Sequence, residues 1–426
     1  MTTPIMHRER VRELISPLCE TQTLRLTELL EHPRRLASDV RSPVDVPGFD
    51  NSSMDGYALS AETLSRARGP IPVCGRVAAG SQGAEVAPGT AVEIMTGAPL
   101  PPGAELVVPI EATEPGRFEA PEITVTADVA LGAYVRRLGS DVTAGTTVLS
   151  AGALLTPARL GVAAACGVAE LPVRGLPRIL LVSTGDEVVE DGPSDTGDPG
   201  VPGGSSDSGS ANAARIHDAN AITLAAHLRR LGAQVDTLTV PDVPELLLEK
   251  VGACEADLVV STGGISKGAH EVVKLAAEID DSAAMDFTVV AMQPGGPQGC
   301  GRLAGRPWVA LPGNPVSALI SFEMFLRPAL LGFDVDEDPR PVEHHRLPGG
   351  LDEAPPSGKL QIRRAVLTDA GLELVGGSRS HLLHSYAQST HLVFVPSRET
   401  GSQDSGSDYA GAGTGADDML KTWRIE

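Results

Sequence analysis

The sequence predicts a multidomain protein of the α/β-plus-β class, with a doubly wound α/β domain and two small β modules. Three observations predict it. From Pro177 to about residue 331, apolar strands alternate with amphipathic helices, the pattern of a mostly parallel sheet covered on both faces. Short β-prone runs separated by glycine and proline fill residues 70–130, and similar runs return at 340–397. At 426 residues the chain is too long for a single core, and its length suggests roughly three domains.

The N-terminal part, residues 7–40, carries leucine and valine at helical spacing: Val11, Leu14, Ile15 and Leu18, then Leu26, Leu29, Leu30 and Leu36. Pro17 interrupts the first set, so two helices with a break are expected. The next segment, Asp39 to Ala58, holds two prolines and two glycines, which exclude a regular helix or a central strand. It also holds Phe49, Met54 and Tyr57, which should pack, so Asp50, Asn51, Ser52, Ser53 and Asp55 read as an ordered polar loop. The first β module is expected at 72–77, 91–95, 106–110 and 123–126, with Thr96 beside Gly97 in one of its loops. Arg136 and Arg137 then stand close to Asp141, and a buried helix is expected over 157–169, started by Pro157 and ended by Gly167.

In the α/β part, strands are expected at 178–183, 234–240, 257–262, 287–292 and 307–311. Helices are expected at 219–231, 244–254, 270–279 and 315–331. Three strands run into polar glycine loops: Ser183-Thr-Gly-Asp-Glu187, Ser261-Thr-Gly-Gly-Ile-Ser266 and Leu311-Pro-Gly-Asn-Pro-Val-Ser317. Such a loop lets the backbone approach a ligand, aims N–H groups at it, and adds the positive end of a helix dipole. One such loop is as well explained by an ordinary tight turn. Three on the carboxyl ends of one sheet point to an anion-binding rim. Short strands are expected at 361–363, 372–375 and 391–395, and the Gly/Ser/Asp-rich stretches 191–210 and 398–418 are expected to be disordered.

Composition narrows the function. Hydrophobic residues make up 42% of the chain but aromatics only 3%, so the cores rest on Ala, Val and Leu. A net charge of −21 argues against general nucleic-acid binding and against a basic membrane-surface role. Any anionic ligand must therefore be held by local cations and backbone N–H groups. Five cysteines, Cys19, Cys74, Cys166, Cys254 and Cys300, show no CxxC spacing and read as reduced thiols, not as a disulfide framework or cysteine zinc site. There is no apolar signal region at the start and no apolar run near the ~18 residues of a membrane span. The expectation is a soluble cytoplasmic protein.

Seven motifs in order carry a resemblance. They are Ser42-Pro-Val-Asp-Val-Pro-Gly-Phe-Asp-Asn-Ser-Ser-Met-Asp-Gly-Tyr57, Met95-Thr-Gly-Ala-Pro99, Arg136-Arg-Leu-Gly-Ser-Asp141, Ser183-Thr-Gly-Asp-Glu187, Thr262-Gly-Gly-Ile-Ser-Lys-Gly268, Met292-Gln-Pro-Gly295 and Leu311-Pro-Gly-Asn-Pro-Val-Ser317. Over about residues 8–397 the chain resembles the molybdopterin molybdenumtransferases, the MoeA family that includes the gephyrin E domain. The resemblance implies a four-part subunit. A helical/extended linking domain would take 8–45 with 145–177, and a β-rich domain 46–144. A MogA-like molybdopterin-binding α/β domain would take 178–335, and a C-terminal β-barrel-like domain 338–397. It also implies a homodimer whose cleft is built by both protomers, and transient contact with the upstream molybdopterin adenylyltransferase. The implied reaction consumes adenylylated molybdopterin and molybdate, needs Mg²⁺, and releases AMP.

Carried over residue by residue, the resemblance offers Asp55, Glu187 and Asp141 as metal ligands. Asp55, Glu187, Asp186, Ser266 and Glu271 become the catalytic candidates. Thr96, Arg137, Asp141, Ser183, Thr184, Gly185, Gly263, Gly264 and Gly268 would contact substrate, as would Pro297, Pro312, Gly313, Asn314, Pro315, Ser317, Lys359 and Arg364. Two positions where the family usually carries lysine are Val289 and Gly296 here, Gln293 is neutral, and Glu271 stands where aspartate is usual. A cation lost beside a dianion costs a few kcal/mol when the site is dry. Lys267, Lys274, Arg302, Lys359, Arg363, Arg364 and Arg379 are the candidates to replace it. The losses keep open a paralogue that binds the pterin nucleotide but inserts metal poorly, and a dimeric scaffold is the third reading.

Overall fold

The computed structural model describes residues 1–32, 34–80, 85–189, 216–266, 271–397 and 419–425. The stretches 191–210 and 398–418, expected to be disordered, lie outside the described residues. The chain divides into two compact units. Unit 1 comprises Met1–Gln22, Glu31–Arg35 and Val173–Glu426, and unit 2 comprises Thr23–Leu30 and Leu36–Pro172.

Unit 1 is built on a six-stranded sheet. Its order is Val235–Val240, Ile179–Thr184, Leu258–Thr262, Arg306–Leu311, Pro297–Leu303 and Ala284–Val289. The first four strands are parallel, and Pro297–Leu303 runs antiparallel to both of its neighbours. Burial on both faces explains the continuous apolar runs. Ile179 and Leu181 pack toward helices Pro4–Ile15 and Ala219–Arg230 and the helical run 315–331, while Leu180 and Val182 face helices Pro244–Ala253 and Val272–Ile279. This is the doubly wound α/β arrangement that the alternation predicts.

The strand Pro297–Leu303 is missed by sequence reading, because Pro297, Gly299 and Gly301 read as a loop. Packing supplies the reason for the glycine at 299. A Cβ there would lie 2.9 Å from the Phe287 ring and 3.2 Å from the Ala310 side chain. The expected strand 287–292 is in fact two. Ala284–Val289 belongs to the central sheet, and Met292–Gln293 pairs in parallel with Leu360–Thr368. That second pairing joins the α/β layer to the C-terminal sheet, ordered Met292–Gln293, Leu360–Thr368, His391–Val395, Met419–Arg424 and Val342–Arg346, with Gly371–Leu374 beside Leu360–Thr368. The sheet therefore extends past residue 397, and the final strand contributes the fully buried Trp423. The run 315–331 contains a π-helical turn, Phe322–Leu326, where buried Glu323 takes two bonds from Arg340, at 2.9 and 2.7 Å.

The N-terminal expectation of two helices is half corrected. Pro4–Ile15 is a helix, capped by the Thr3 hydroxyl. After it, Ser16–Leu18 forms a tight turn, Thr21–Arg25 a strand and Leu26–Leu29 another turn. The leucine spacing imitates a helix, but the Leu26 N–H is satisfied by the Ala169 carbonyl at 3.0 Å instead of by its own segment.

Unit 2 holds a six-stranded sheet ordered Leu106–Pro109, Gly56–Leu59, Ala91–Ile94, Ile71–Val77, Glu122–Val125 and Thr113–Glu114. Tyr57, Leu59, Ala91, Leu106 and Val108 form the core on one face, and Ala58, Val92, Ile94 and Val107 the core on the other. The expected helix is present at Pro157–Ala165, with Thr156 as its cap.

Candidate functional site

In unit 1 the parallel strands Ile179–Thr184, Leu258–Thr262 and Arg306–Leu311 end on one rim, and their three glycine loops close together over a cleft of about 1120 Å³. The loops touch backbone to backbone. Gly263 donates to the Leu311 carbonyl at 3.1 Å. A Cβ on Gly263 would lie 2.8 Å from Thr184 Oγ1, and one on Gly313 would lie 3.3 Å from the Gly263 Cα. Gly263 also has φ +92°, a conformation that side-chain-bearing residues rarely adopt. Glycine is thus required here for packing as well as for any ligand.

Ser183, Thr184, Gly185, Glu187, Gly263, Gly264, Ser266 and Glu271 line the cleft from two loops. Pro297, Pro312, Gly313, Asn314, Pro315, Ser317 and Lys359 complete the predicted set on its walls. Asp186 is exposed and holds the loop from outside the lining, its Oδ1 accepting from the Asp242 N–H at 3.0 Å. Glu271 accepts from the Ser266 N–H at 2.5 Å, which fixes the start of that loop. Gly268 and Lys267 lie outside the described residues.

Three polar atoms on the cleft wall are buried with no partner among the described residues: Ser183 Oγ, Asp218 Oδ2 and Asn220 Oδ1. Buried polar atoms are normally satisfied, so such atoms on a cleft wall suit a ligand. Asp218 and Asn220 were not singled out in the sequence. A signal was present, since Asp218 directly precedes the apolar periodicity of helix Ala219–Arg230. Its Oδ1 caps the Ala221 N–H at 2.8 Å, and the Asn220 amide donates to the Gly313 carbonyl at 2.7 Å. His217, Asp242, Ser378 and His381 also line the cleft, and nothing in their local sequence marks them.

The candidate replacement cations lie in different places. Val289 and Gly296 do line the cleft, and so do Lys359 and Arg379. Arg364 does not. It is buried behind the wall, donating to the carbonyls of Gly377 and, at 3.3 Å, of Arg379, so it supports the loop that carries Ser378 to His381. Arg363 is buried against Asp352 at 2.6 Å, Arg302 donates to the Gly305 carbonyl, and Lys274 to the Ser266 carbonyl.

Asp55, Thr96, Arg137 and Asp141 belong to unit 2. Asp55 directly precedes strand Gly56–Leu59, and Thr96 follows Ala91–Ile94. Those strands are antiparallel neighbours with Gly56 opposite Ile94, so the two residues meet at one sheet end. The Thr96 N–H and hydroxyl both donate to Asp55 Oδ1, at 2.7 and 2.8 Å, which holds the exposed carboxyl below its usual range. Arg137 is paired with Asp50 at 2.6 Å, and the Leu138 N–H adds a bond of 2.7 Å to the same carboxylate. The Leu138 bond first, and then Arg137, lowers the Asp50 pKa. Asp141 is exposed, with its N–H on the Val46 carbonyl.

A glycine-looped cleft at the carboxyl ends of a doubly wound sheet, lined by Lys359, Arg379 and the carboxylates of Glu187, Asp218, Asp242 and Glu271, has the position and the mixed charge of a small-molecule site. Two family models match the chain, one described as the MoeA N-terminal region (domain I and II) over residues 5–167 and one as a probable molybdopterin binding domain over 180–332. "Molybdopterin molybdenumtransferase 2" of Mycobacterium tuberculosis is 40% identical, covering 92% of this chain and 95% of its own length. The molybdopterin molybdenumtransferase of Haemophilus influenzae is 30% identical, covering 95% and 97%. That of Synechococcus elongatus is 33% identical, covering 89% and 90%. In fold, the chain is similar to the crystal structure of the molybdopterin biosynthesis moeA protein from Pyrococcus horikoshii, with a TM-score of 0.75 at 22% identity over 99% of this chain and 100% of that one. The chain belongs to the molybdopterin molybdenumtransferase family, a family of transferases.

Proposed function

We propose that this protein acts in molybdenum cofactor biosynthesis, inserting molybdenum from molybdate into adenylylated molybdopterin with Mg²⁺-dependent release of AMP. The observation that carries this reading is the cleft of unit 1, where three glycine loops, three unsatisfied buried oxygens, Lys359 and Arg379 surround a space of about 1120 Å³. Lys359 and Arg379 supply positive charge in a cleft whose Val289 and Gly296 have none. Ser183 and Ser266 orient phosphate or molybdate oxygens. Pro297, Pro312, Asn314 and Pro315 shape the pterin side.

Glu187, Asp218 and Asp242 line the cleft, and such hard oxygen donors suit Mg²⁺. One or two of them with substrate phosphates suffice, since Mg²⁺ keeps much of its water shell. When bound, the ion neutralises charge on the phosphates. In this reading Glu187 is the cleft's main metal ligand. The protein works as a homodimer, and Asp55 and Asp141 are further metal-ligand candidates carried by unit 2.

The test is single-turnover AMP release from adenylylated molybdopterin with Mg²⁺ present, as molybdate is titrated. The expected result is saturable, molybdate-dependent release with cofactor formed. Lys359→Ala and Arg379→Ala should each raise the nucleotide concentration for half-saturation about tenfold or more. Tight nucleotide binding without release would replace this reading by that of a paralogue disabled by Val289 and Gly296. Full turnover in Asp55→Ala would remove that residue from the chemistry.

A further inference from the structure

On the C-terminal sheet, well apart in sequence from the cleft's glycine loops, Glu343, His345 and His391 converge, with their ligand atoms all within 4.8 Å of one another. Strand geometry brings them there. Glu343 and His345 are two apart on Val342–Arg346 and so share a face. His391 opens His391–Val395, and Met419–Arg424 lies between these two strands. Nε2 of His345 lies 2.8 Å and Nε2 of His391 3.1 Å from the same oxygen, Glu343 Oε2. His391 is nearly fully buried, while His345 and Glu343 keep partial access to solvent.

We propose that Glu343, His345 and His391 form a binding site for a borderline divalent transition-metal ion, with Zn²⁺ as its representative. Two imidazoles and one carboxylate are a known zinc donor set that leaves a fourth position for water. In a tetrahedral site with bonds near 2 Å, ligand atoms stand roughly 3.3 Å apart. The two carboxylate–imidazole separations, 2.8 and 3.1 Å, already lie near that value, and the whole set lies within 4.8 Å. Without a metal, both imidazoles must donate a proton to one carboxylate oxygen, and a cation replaces both protons at once. The His391 ring is already oriented from behind, its Nδ1 lying 2.7 Å from Thr390 Oγ1, which leaves Nε2 facing Glu343 and the proposed ion. The ion would tie Val342–Arg346 to His391–Val395 across the intervening strand. This donor set is chemically distinct from the all-oxygen set assigned to Mg²⁺, and the inference does not depend on the proposed reaction.

The test uses the full chain stripped with a chelator, with Mg²⁺ in excess, and titrated with Zn²⁺ by calorimetry and with Co²⁺ by visible absorption. The expected result is one equivalent of Zn²⁺, a rise in Tm on binding, and a Co²⁺ spectrum of a low-coordinate nitrogen–oxygen site. His345→Ala, at a partly exposed position, should fold normally by circular dichroism and lose Zn²⁺ affinity at least 100-fold. Glu343→Gln should also weaken binding. Absence of stoichiometric Zn²⁺ binding in the unaltered chain would show the cluster to be a hydrogen-bonded His–Glu–His group only and overturn the proposal. Binding that survives in His345→Ala would place the ion elsewhere and overturn it equally.

Discussion

His7 illustrates how a single side chain ties stability to pH. It is fully buried in the N-terminal helix, edge-on to Phe325 with centroids 4.7 Å apart, and neither ring nitrogen has a hydrogen-bond partner among the described residues. Burial first, and the charge of Arg10 second, lower its pKa from 6.5 to about 4. A histidine kept neutral when folded binds a proton more readily when unfolded. Its stabilising contribution is therefore whole above pH 6.5 and is lost as the pH falls toward 4. The full loss is about 3 kcal/mol at roughly 1.4 kcal/mol per pKa unit. Denaturant melts of the wild-type chain and His7→Leu across pH 7 to 4 should show that excess slope in the wild type alone. Parallel profiles would sink the argument. The histidine is visible in the sequence, but its burial is not.

At the scale of elements, the glycine loops are decided by backbone approach. Gly263 has φ +92° and no room for a Cβ beside Thr184. Gly263→Val should cost about 1–3 kcal/mol through backbone strain alone. In urea this should appear as a lower midpoint with an unchanged slope. Unchanged stability would mean that the loop has room to rearrange. The loops themselves are legible in sequence, because each follows a buried apolar strand and brings a glycine, Gly185, Gly263 or Gly313, within two residues of its end. The strand Pro297–Leu303 is illegible for the complementary reason. Gly299 is demanded by the Phe287 ring and Gly301 by the Ala284 backbone, both on a neighbouring strand that a local reading of turn chemistry does not see. The same limit applies to Thr21–Arg25, where non-local hydrogen bonding overrides a helical leucine pattern.

Across unit 1, one hydrophobic cluster runs from Val11 and Ile15 of the first helix through the central sheet to Phe394 and Trp423. Trp423 packs on Phe394 with centroids 4.6 Å apart, and its indole N–H donates to Asp338 at 2.8 Å. Trp423→Ala should cost about 3–5 kcal/mol. Because the cluster is shared, the loss should appear as a lower Tm for the α/β layer too. A calorimetric trace in which only a minor, separate transition moves would show that the C-terminal sheet unfolds alone.

By itself the sequence determined the doubly wound α/β class and the three glycine loops, and of the acidic residues that line the cleft it singled out Glu187 and Glu271. These follow from local rules: strand and helix periodicity, turn chemistry and the order of motifs. Only the tertiary structure decided that Lys359 and Arg379 line the cleft while Arg364 stands behind its wall, that Asp218 and Asn220 present unsatisfied oxygens there, and that Glu343, His345 and His391 meet. The physical reason is the same in each case. Local sequence sets which backbone states and faces are available, but which charge is buried, paired or left facing a cavity depends on strands and loops tens to hundreds of residues apart.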